Sequence, residues 1–252
     1  MAEPLLAIRG LSKHFGGVRA TDEVDLDIAA GETRALIGPN GAGKTTLIAQ
    51  LAGELRSDAG TIRFDGRDLT QIPGHARAAL GLARSFQVTS IFRSFTALDN
   101  VVLAAQARRG HSFRFWRPVR ARDDLIRPAR EALEQVGLAQ RAETSAALLA
   151  HGEHRQLEIA MALVSQPKLL LLDEPTAGMS PEETQRMVRF LGTLKGRITM
   201  LLVEHDMDAV FSLADRITVL VQGKPIATGS PVEIRGNKKV REAYLGEDFT
   251  SQ

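Results

Sequence analysis

Cysteine is missing from all 252 residues, so the chain can carry no disulfide, no thiolate metal site and no thiol nucleophile. That fits a reducing compartment. A strong charge of either sign is also missing: 32 Lys and Arg against 30 Asp and Glu leave +2, too little to point to nucleic acid as a partner. Long apolar runs are missing too. Runs such as Leu169 to Leu172 and Ile198 to Val203 fall far short of a bilayer crossing. The start, Met1-Ala-Glu-Pro-Leu-Leu, lacks the basic residues and extended apolar stretch of a signal peptide, and the chain is expected in the cytosol. There is no internal repeat and no low-complexity tract. What remains is ordinary for a folded protein, with 44% hydrophobic and 25% charged residues, and excludes a disordered or collagen-like chain. The length suits one large α/β domain or two small lobes.

The patterning changes along the chain. Leu6-Ala7-Ile8-Arg9 and Val24-Asp25-Leu26-Asp27-Ile28 alternate with period two, as half-exposed antiparallel strands do. Thr33 to Ile37 reads as a short apolar strand, Lys44 to Leu55 as an amphipathic helix, and Thr61 to Phe64 as a strand entering an Asp65-Gly66 turn. Thr96 to about Gln166 is rich in Ala, Leu, Arg and Glu and predicts a helical subdomain within a single unit spanning 1–252. Eight arginines lie between Arg108 and Arg130, beside Phe113, Phe115 and Trp116. They read either as a solvated basic helix pair or as a contact for lipid head groups or an acidic partner. Lys168 to Leu172 and Ile198 to Val203 predict strands buried on both faces, and Ser180-Pro181-Glu182-Glu183 a helix start. A further helix carries Met207, Val210, Phe211 and Ala214, and strands at 216–221 and 225–228 close the chain. Strands alternating with helices imply an α/β fold with a mostly parallel sheet covered on both faces.

Gly38-Pro39-Asn40-Gly41-Ala42-Gly43-Lys44-Thr45-Thr46 matches G-x-x-x-x-G-K-[ST] between a predicted strand and a predicted helix. Glycines let the backbone curl so that successive N–H groups face phosphate oxygens, and the helix adds its positive end. Lys44 brings a cation to the β- and γ-phosphates, the Thr45 hydroxyl is placed to ligate Mg²⁺, and Thr46 lies toward the α-phosphate. This motif implies a nucleoside triphosphate without choosing its base.

Four leucines lead into Asp173 and Glu174. In open α/β sheets ligands bind beyond the carboxyl ends of strands, so Asp173 can reach Mg²⁺ and Glu174 can orient and deprotonate a water. Val203-Glu204-His205-Asp206 repeats the arrangement, and His205 could donate to a γ-phosphate. Gln87 could hold Mg²⁺ and the attacking water, though alone it would read as a surface glutamine.

In their order, Gly38 to Thr46, Gln87, Leu149 to Gln156, Leu169 to Pro175 and His205 resemble an ATP-binding subunit of an ABC transporter, and the likeness covers essentially the whole chain. The resemblance implies the fold of that family: a P-loop NTPase cassette with a mostly parallel core sheet, an antiparallel β subdomain and a helical subdomain. It implies ATP, through Phe15 in the position of an adenine-stacking aromatic, and Mg²⁺ held by Thr45, Gln87 and Asp173. Glu174 is then the catalytic base, with His205 and Gln87 beside it. Ala150, Gly152 and Glu153 stand in the signature segment that contacts the partner's nucleotide. Phe15-Gly16-Gly17-Val18-Arg19-Ala20, Gly81 to Gln87 and Arg241 to Gly246 look like the branched-chain amino acid importer branch, which also contains importers of urea, amides and aromatic acids. That branch implies a second ATP-binding subunit of different or identical sequence, two membrane-spanning permease subunits, a periplasmic substrate-binding protein acting indirectly, and a peripheral place on the cytoplasmic face of the inner membrane. Val88, Ile91, Phe92 and Phe95 read equally as a socket for a permease helix or as core.

Two positions depart from the pattern. Ala150 stands where the signature usually has Ser, which removes a helix cap and one phosphate contact, so the site using it is expected to be weakened but not abolished. Ser180 stands where Asp or Asn is common, and its role as N-cap accounts for it. Other classes fit less well. A soluble ABC ATPase would carry two cassettes or a coiled-coil insertion, a guanine-nucleotide switch an N-K-x-D motif, and a regulatory cassette would lose Glu174.

Overall fold

The computed structural model describes residues 3–85, 91–108 and 123–242. β1 (Leu6–Phe15) and β2 (Val18–Ile28) form a long antiparallel hairpin closed at Phe15 and Val18. β4 (Ala59–Phe64) pairs with the other edge of β1, and β5 (Arg67–Asp68) follows across the Asp65-Gly66 turn. The alternating apolar residues of these strands, Leu6, Ile8, Leu26 and Ile28 among them, face inward and are buried.

The second sheet is built on β3 (Thr33–Ile37), β7 (Leu169–Asp173) and β8 (Thr199–Val203), each with every residue buried. With β6 (Leu82–Arg84), β9 (Arg216–Val221) and β10 (Lys224–Gly229) the order is β10-β9-β3-β8-β7-β6, parallel except for β10. The apolar run of β7 is divided by the pleat. Leu169 and Leu171 join the core shared with the antiparallel sheet and with α1 (Lys44–Ala52), while Leu170 and Leu172 join the core of the helical segment. That segment contains α3 (Ala97–Arg108), α4 (Asp123–Gln135) and α5 (His151–Leu163), and among its described residues there is no strand. Residues 109–122, which hold most of the arginine-rich stretch, and 243–252 lie outside the described residues.

α6 (Pro181–Leu194) starts where Ser180 predicts. The Glu183 N–H donates to Ser180 Oγ at 3.3 Å, and the Ser180 N–H donates to the Glu183 carboxylate at 2.9 Å. α7 (Met207–Leu213) starts at Asp206, whose carboxylate accepts from the Asp208 and Ala209 N–H groups. α1 ends at Ala52, earlier than the predicted Leu55, because Gly53 adopts φ 77° and closes the last turn.

Arg77, on α2 (Gly74–Ala79), is buried and donates to the Gln50 and Leu51 carbonyls at the end of α1, both at 2.7 Å. Burial pushes its guanidinium below the ordinary value, against the pull of Asp68. Replacing it with Met would take this donor from both carbonyls and leave that of Gln50 only the Gly53 N–H, at about 1–3 kcal/mol for a buried group that loses its partner. Urea unfolding of Arg77→Met is expected to show that loss. A midpoint equal to that of the native chain would refute the assignment.

Candidate nucleotide site

Register brings the polar residues together. In the parallel sheet Leu36 lies beside Val203, and Val203 beside Asp173. The next residues, Glu204 and Glu174, therefore leave the sheet at one level, where β3 ends with Ile37 beside Val219. Gly38 to Gly43, His205 and the Glu174 turn follow at the same carboxyl edge.

The loop of Gly38 to Gly43 is held from below. A Cβ on Gly43 would lie 1.9 Å from the Ala20 carbonyl oxygen, and one on Gly38 2.0 Å from that of Leu220, so only glycine permits this approach. Gly43 also has φ 99°. The Gly223 N–H donates to the Ala42 carbonyl at 3.0 Å, and the Asp22 N–H to the Gly223 carbonyl at 2.9 Å, tying the loop to β2 and to the β9–β10 turn. Gly41 faces open space.

Lys44 Nζ donates to the Gly38 and Pro39 carbonyls at 2.7 and 3.0 Å. Burial pushes its ammonium below the ordinary value, while Glu174 and Asp173 pull it back. Thr45 and Thr46 follow in the first turn of α1, and Asn40 and Ala42 complete the loop.

Asp173 is buried at the end of β7. Its Oδ2 accepts from Arg84 Nη2 at 3.0 Å, and Arg84 also pairs with Glu54. Asp173 Oδ1 is buried and has no hydrogen-bond partner. A buried carboxylate oxygen left without a donor is a hard oxygen ligand of the kind that Mg²⁺ takes. Glu174 sits one residue on with φ 49°, its N–H donating to the Val203 carbonyl at 2.8 Å and its side chain half exposed. His205 is exposed, with Nδ1 3.9 Å from Glu174 Oε1.

Phe15 closes the β1–β2 hairpin, 52% exposed and free to meet a planar base, and Lys13 Nζ lies 5.7 Å from the ring centre. Gln87 lies outside the described residues. The signature residues are on another packing unit: α5 packs on α3, α4 and β6, whereas α1 packs on β2, β6 and β7. At the start of α5 Ala150 provides no side-chain acceptor. Only half of a capping pair forms, with the Ala150 N–H donating to Glu153 at 2.8 Å. Burial pushes the Glu153 carboxyl up, but Arg141 and the Ala150 N–H outweigh it and hold it below the usual range. Glu153 therefore shapes the helix start, since a carboxylate repels phosphate oxygens. The Glu183 carboxylate lies where a Gly152 Cβ would be, 2.8 Å from it, so only glycine fits there without moving Glu183.

Sequence reading gave no role to Arg84, Thr176 or Glu204. Arg84 stands inside the quoted segment before Gln87, and Glu204 shows the same signal as Asp173, an acid at the end of an apolar strand. Thr176 carries no signal of its own. Ile91, read as part of a socket or as core, is buried, while Phe92 and Phe95 are exposed and stacked 5.5 Å apart. Val88 lies outside the described residues.

Lys44→Met would remove the ammonium while keeping its stem. Nucleotide affinity is expected to fall about 10- to 100-fold, the equivalent of losing a charge-assisted hydrogen bond. Titration with a fluorescent ATP analogue measures it, and unchanged affinity would remove Lys44 from the site.

Comparison with known proteins accords with this geometry. The ABC transporter family profile matches residues 21–177, and a profile described as branched-chain amino acid ATP-binding cassette transporter matches residues 224–250. The chain is 42% identical over 259 residues to the high-affinity branched-chain amino acid transport ATP-binding protein LivG of Salmonella typhimurium, covering 98% of this chain and all of the relative. It is 39% identical over 254 residues to the corresponding protein BraF of Pseudomonas aeruginosa, with the same coverage. A crystal structure of an ABC transporter cassette in its ADP conformation superposes with a TM-score of 0.86 at 30% identity, covering 98% of this chain and all of that one. With a glycine cradle, an acid pair and a histidine at one sheet edge, and relatives matched from end to end, this chain belongs to the ABC transporter family of ATP-binding cassettes.

Proposed function

We propose that the chain is the ATP-hydrolysing subunit of an importer for branched-chain amino acids. The observation that carries the catalytic part is the meeting of Lys44, Asp173, Glu174 and His205 at one edge of the sheet: both acids act on the Lys44 charge, and His205 stands beside Glu174. The cargo class rests on the full-length likeness to LivG and BraF and on the match over 224–250.

In this reading the triphosphate replaces the Gly38 and Pro39 carbonyls as the partner of Lys44. The loop N–H groups and the start of α1 receive the phosphate oxygens, and the base stacks on Phe15. Thr45 and Asp173 Oδ1, with Gln87, would hold Mg²⁺, which supplies charge neutralisation on the β- and γ-phosphates. Glu174 accepts a proton from the attacking water, and His205 donates to the γ-phosphate. Ala150, Gly152 and the start of α5 serve the nucleotide of a second ATP-binding subunit, so that ATP favours the closed pair and hydrolysis removes that preference.

Two membrane-spanning permeases would convert closure into transport, fed by a periplasmic binding protein. The exposed pair Phe92 and Phe95, with exposed Leu148, supports docking of a permease on the helical segment. No helix among the described residues is long and apolar enough to cross a membrane, in keeping with a peripheral place on the cytoplasmic face.

In the assembled transporter Glu174→Gln is expected to reduce ATP turnover at least about 100-fold, as for loss of a general base, while ATP still binds. Unchanged turnover would overturn the role of Glu174. In proteoliposomes leucine, isoleucine or valine with the binding protein should raise ATP turnover. Stimulation by urea or an amide alone would reassign the cargo. Ala150→Ser restores the cap on α5, and turnover is expected to hold or rise. A fall would contradict the place given to Ala150.

A further inference from the structure

One buried carboxylate at this edge has no part in the reaction as described. The side chain of Glu204 is wholly enclosed. One oxygen, Oε1, accepts from the Thr176 N–H at 3.0 Å and from the Thr176 hydroxyl. The other, Oε2, accepts from the N–H groups of His205 and Asp206 at 3.0 and 3.4 Å. All four partners are donors. Among the described residues no Lys or Arg forms an ion pair with it, and the one titratable cation facing it is His205, with Nδ1 3.9 Å from Oε2. Enclosing a carboxylate without a Lys or Arg is costly unless hydrogen bonds compensate, and strand packing makes no demand for an acid here.

Its two oxygens serve two different loops. Thr176 belongs to the turn that carries Glu174, and His205 and Asp206 belong to the turn after β8. Glu174 itself has φ 49°, a conformation a non-glycine residue keeps only when its surroundings hold it. Its N–H is bonded to the Val203 carbonyl, its own carbonyl accepts from the Ala177 N–H at 3.1 Å, and the Glu204 anchor two residues on is the side-chain hold that ties the turn to β8.

We propose that Glu204 is a positioning residue for ATP hydrolysis: it locks the Glu174 turn to the His205 turn, and so fixes the spacing of the base and the histidine without touching the nucleotide. This rests on the reading of Glu174 as base. Glutamine cannot replace it, because its amide nitrogen is a donor and would face the donors of one loop or the other. Thr176 forms the other half of the lock.

The test uses the assembled transporter with Glu204→Gln, Thr176→Val, Thr176→Ser and the double variant Glu204→Gln/Thr176→Val, with Glu174→Gln as control. Glu204→Gln and Thr176→Val are expected to lower kcat at least about tenfold with KM for ATP within about twofold, the split for a group acting only on the chemical step. Thr176→Ser keeps the hydroxyl and should restore kcat. The double variant should be no slower than the slower single one, as for residues acting as a unit. Hydrogen exchange read by mass spectrometry should be faster in the peptides containing Thr176 and His205 of Glu204→Gln. Unchanged kcat in Glu204→Gln, a fall in kcat matched by lost ATP binding, or a Thr176→Ser variant as slow as Thr176→Val would each overturn the proposal. If Glu204→Gln does not fold, the Thr176 pair decides by itself. Full turnover in Glu174→Gln would instead strike the functional reading on which the proposal stands.

Discussion

The leucine-rich strands β7 and β8, buried on both faces, can offer charged groups to a ligand only where they end. Leu169 to Leu172 and Thr199 to Val203 are enclosed by two separate cores, and no side chain along them reaches water. Asp173 and Glu204 sit at or just past those ends, and parallel pairing sets Asp173 beside Val203 and Glu204 level with Glu174, next to the strand that opens the glycine loop. The charges of this site are thus collected by apolar packing. Shift one strand by a residue and the pleat would turn its leucines to the wrong core and move its acid out of line.

The glycine loop depends on other parts of the chain. Its two framing glycines rest against carbonyls of β2 and β9, and a third contact comes from the β9–β10 turn. The antiparallel sheet therefore does more than present Phe15: the hairpin that ends in that ring also supports the floor of the phosphate loop. Lys44 turns back on the loop's own carbonyls, which solvates a half-buried cation internally.

The helix starts show how a departure from pattern is absorbed. α6 has both halves of its capping pair, from Ser180 and Glu183. α5 has only the half that Glu153 provides, because Ala150 has no oxygen. Arg141 holds the Glu153 carboxylate in place from outside the helix. The start of α5 keeps its shape without the hydroxyl. In the proposed dimer this leaves the helix dipole and the Gly152 amide for the partner's phosphate.

Much of this was written in local order. The cradle from Gly38 to Thr46, the acids after four leucines, and the start of α6 follow from short-range chemistry: glycine's freedom, a carboxylate's need for water or a partner, and a serine oxygen's reach to the third N–H of a helix. Those forces act within a few residues, so the sequence by itself determined them, along with the mostly parallel sheet that the alternation of elements requires. It did not show that Arg84 pairs with Asp173, or that Glu204 holds Thr176, because each contact joins residues 28 or 89 positions apart. Nor did it show that Ile91 packs inward while Phe92 beside it stays exposed. Tertiary structure alone decided these, since they depend on which strands lie side by side, and that is settled by burying both faces of the sheet at once.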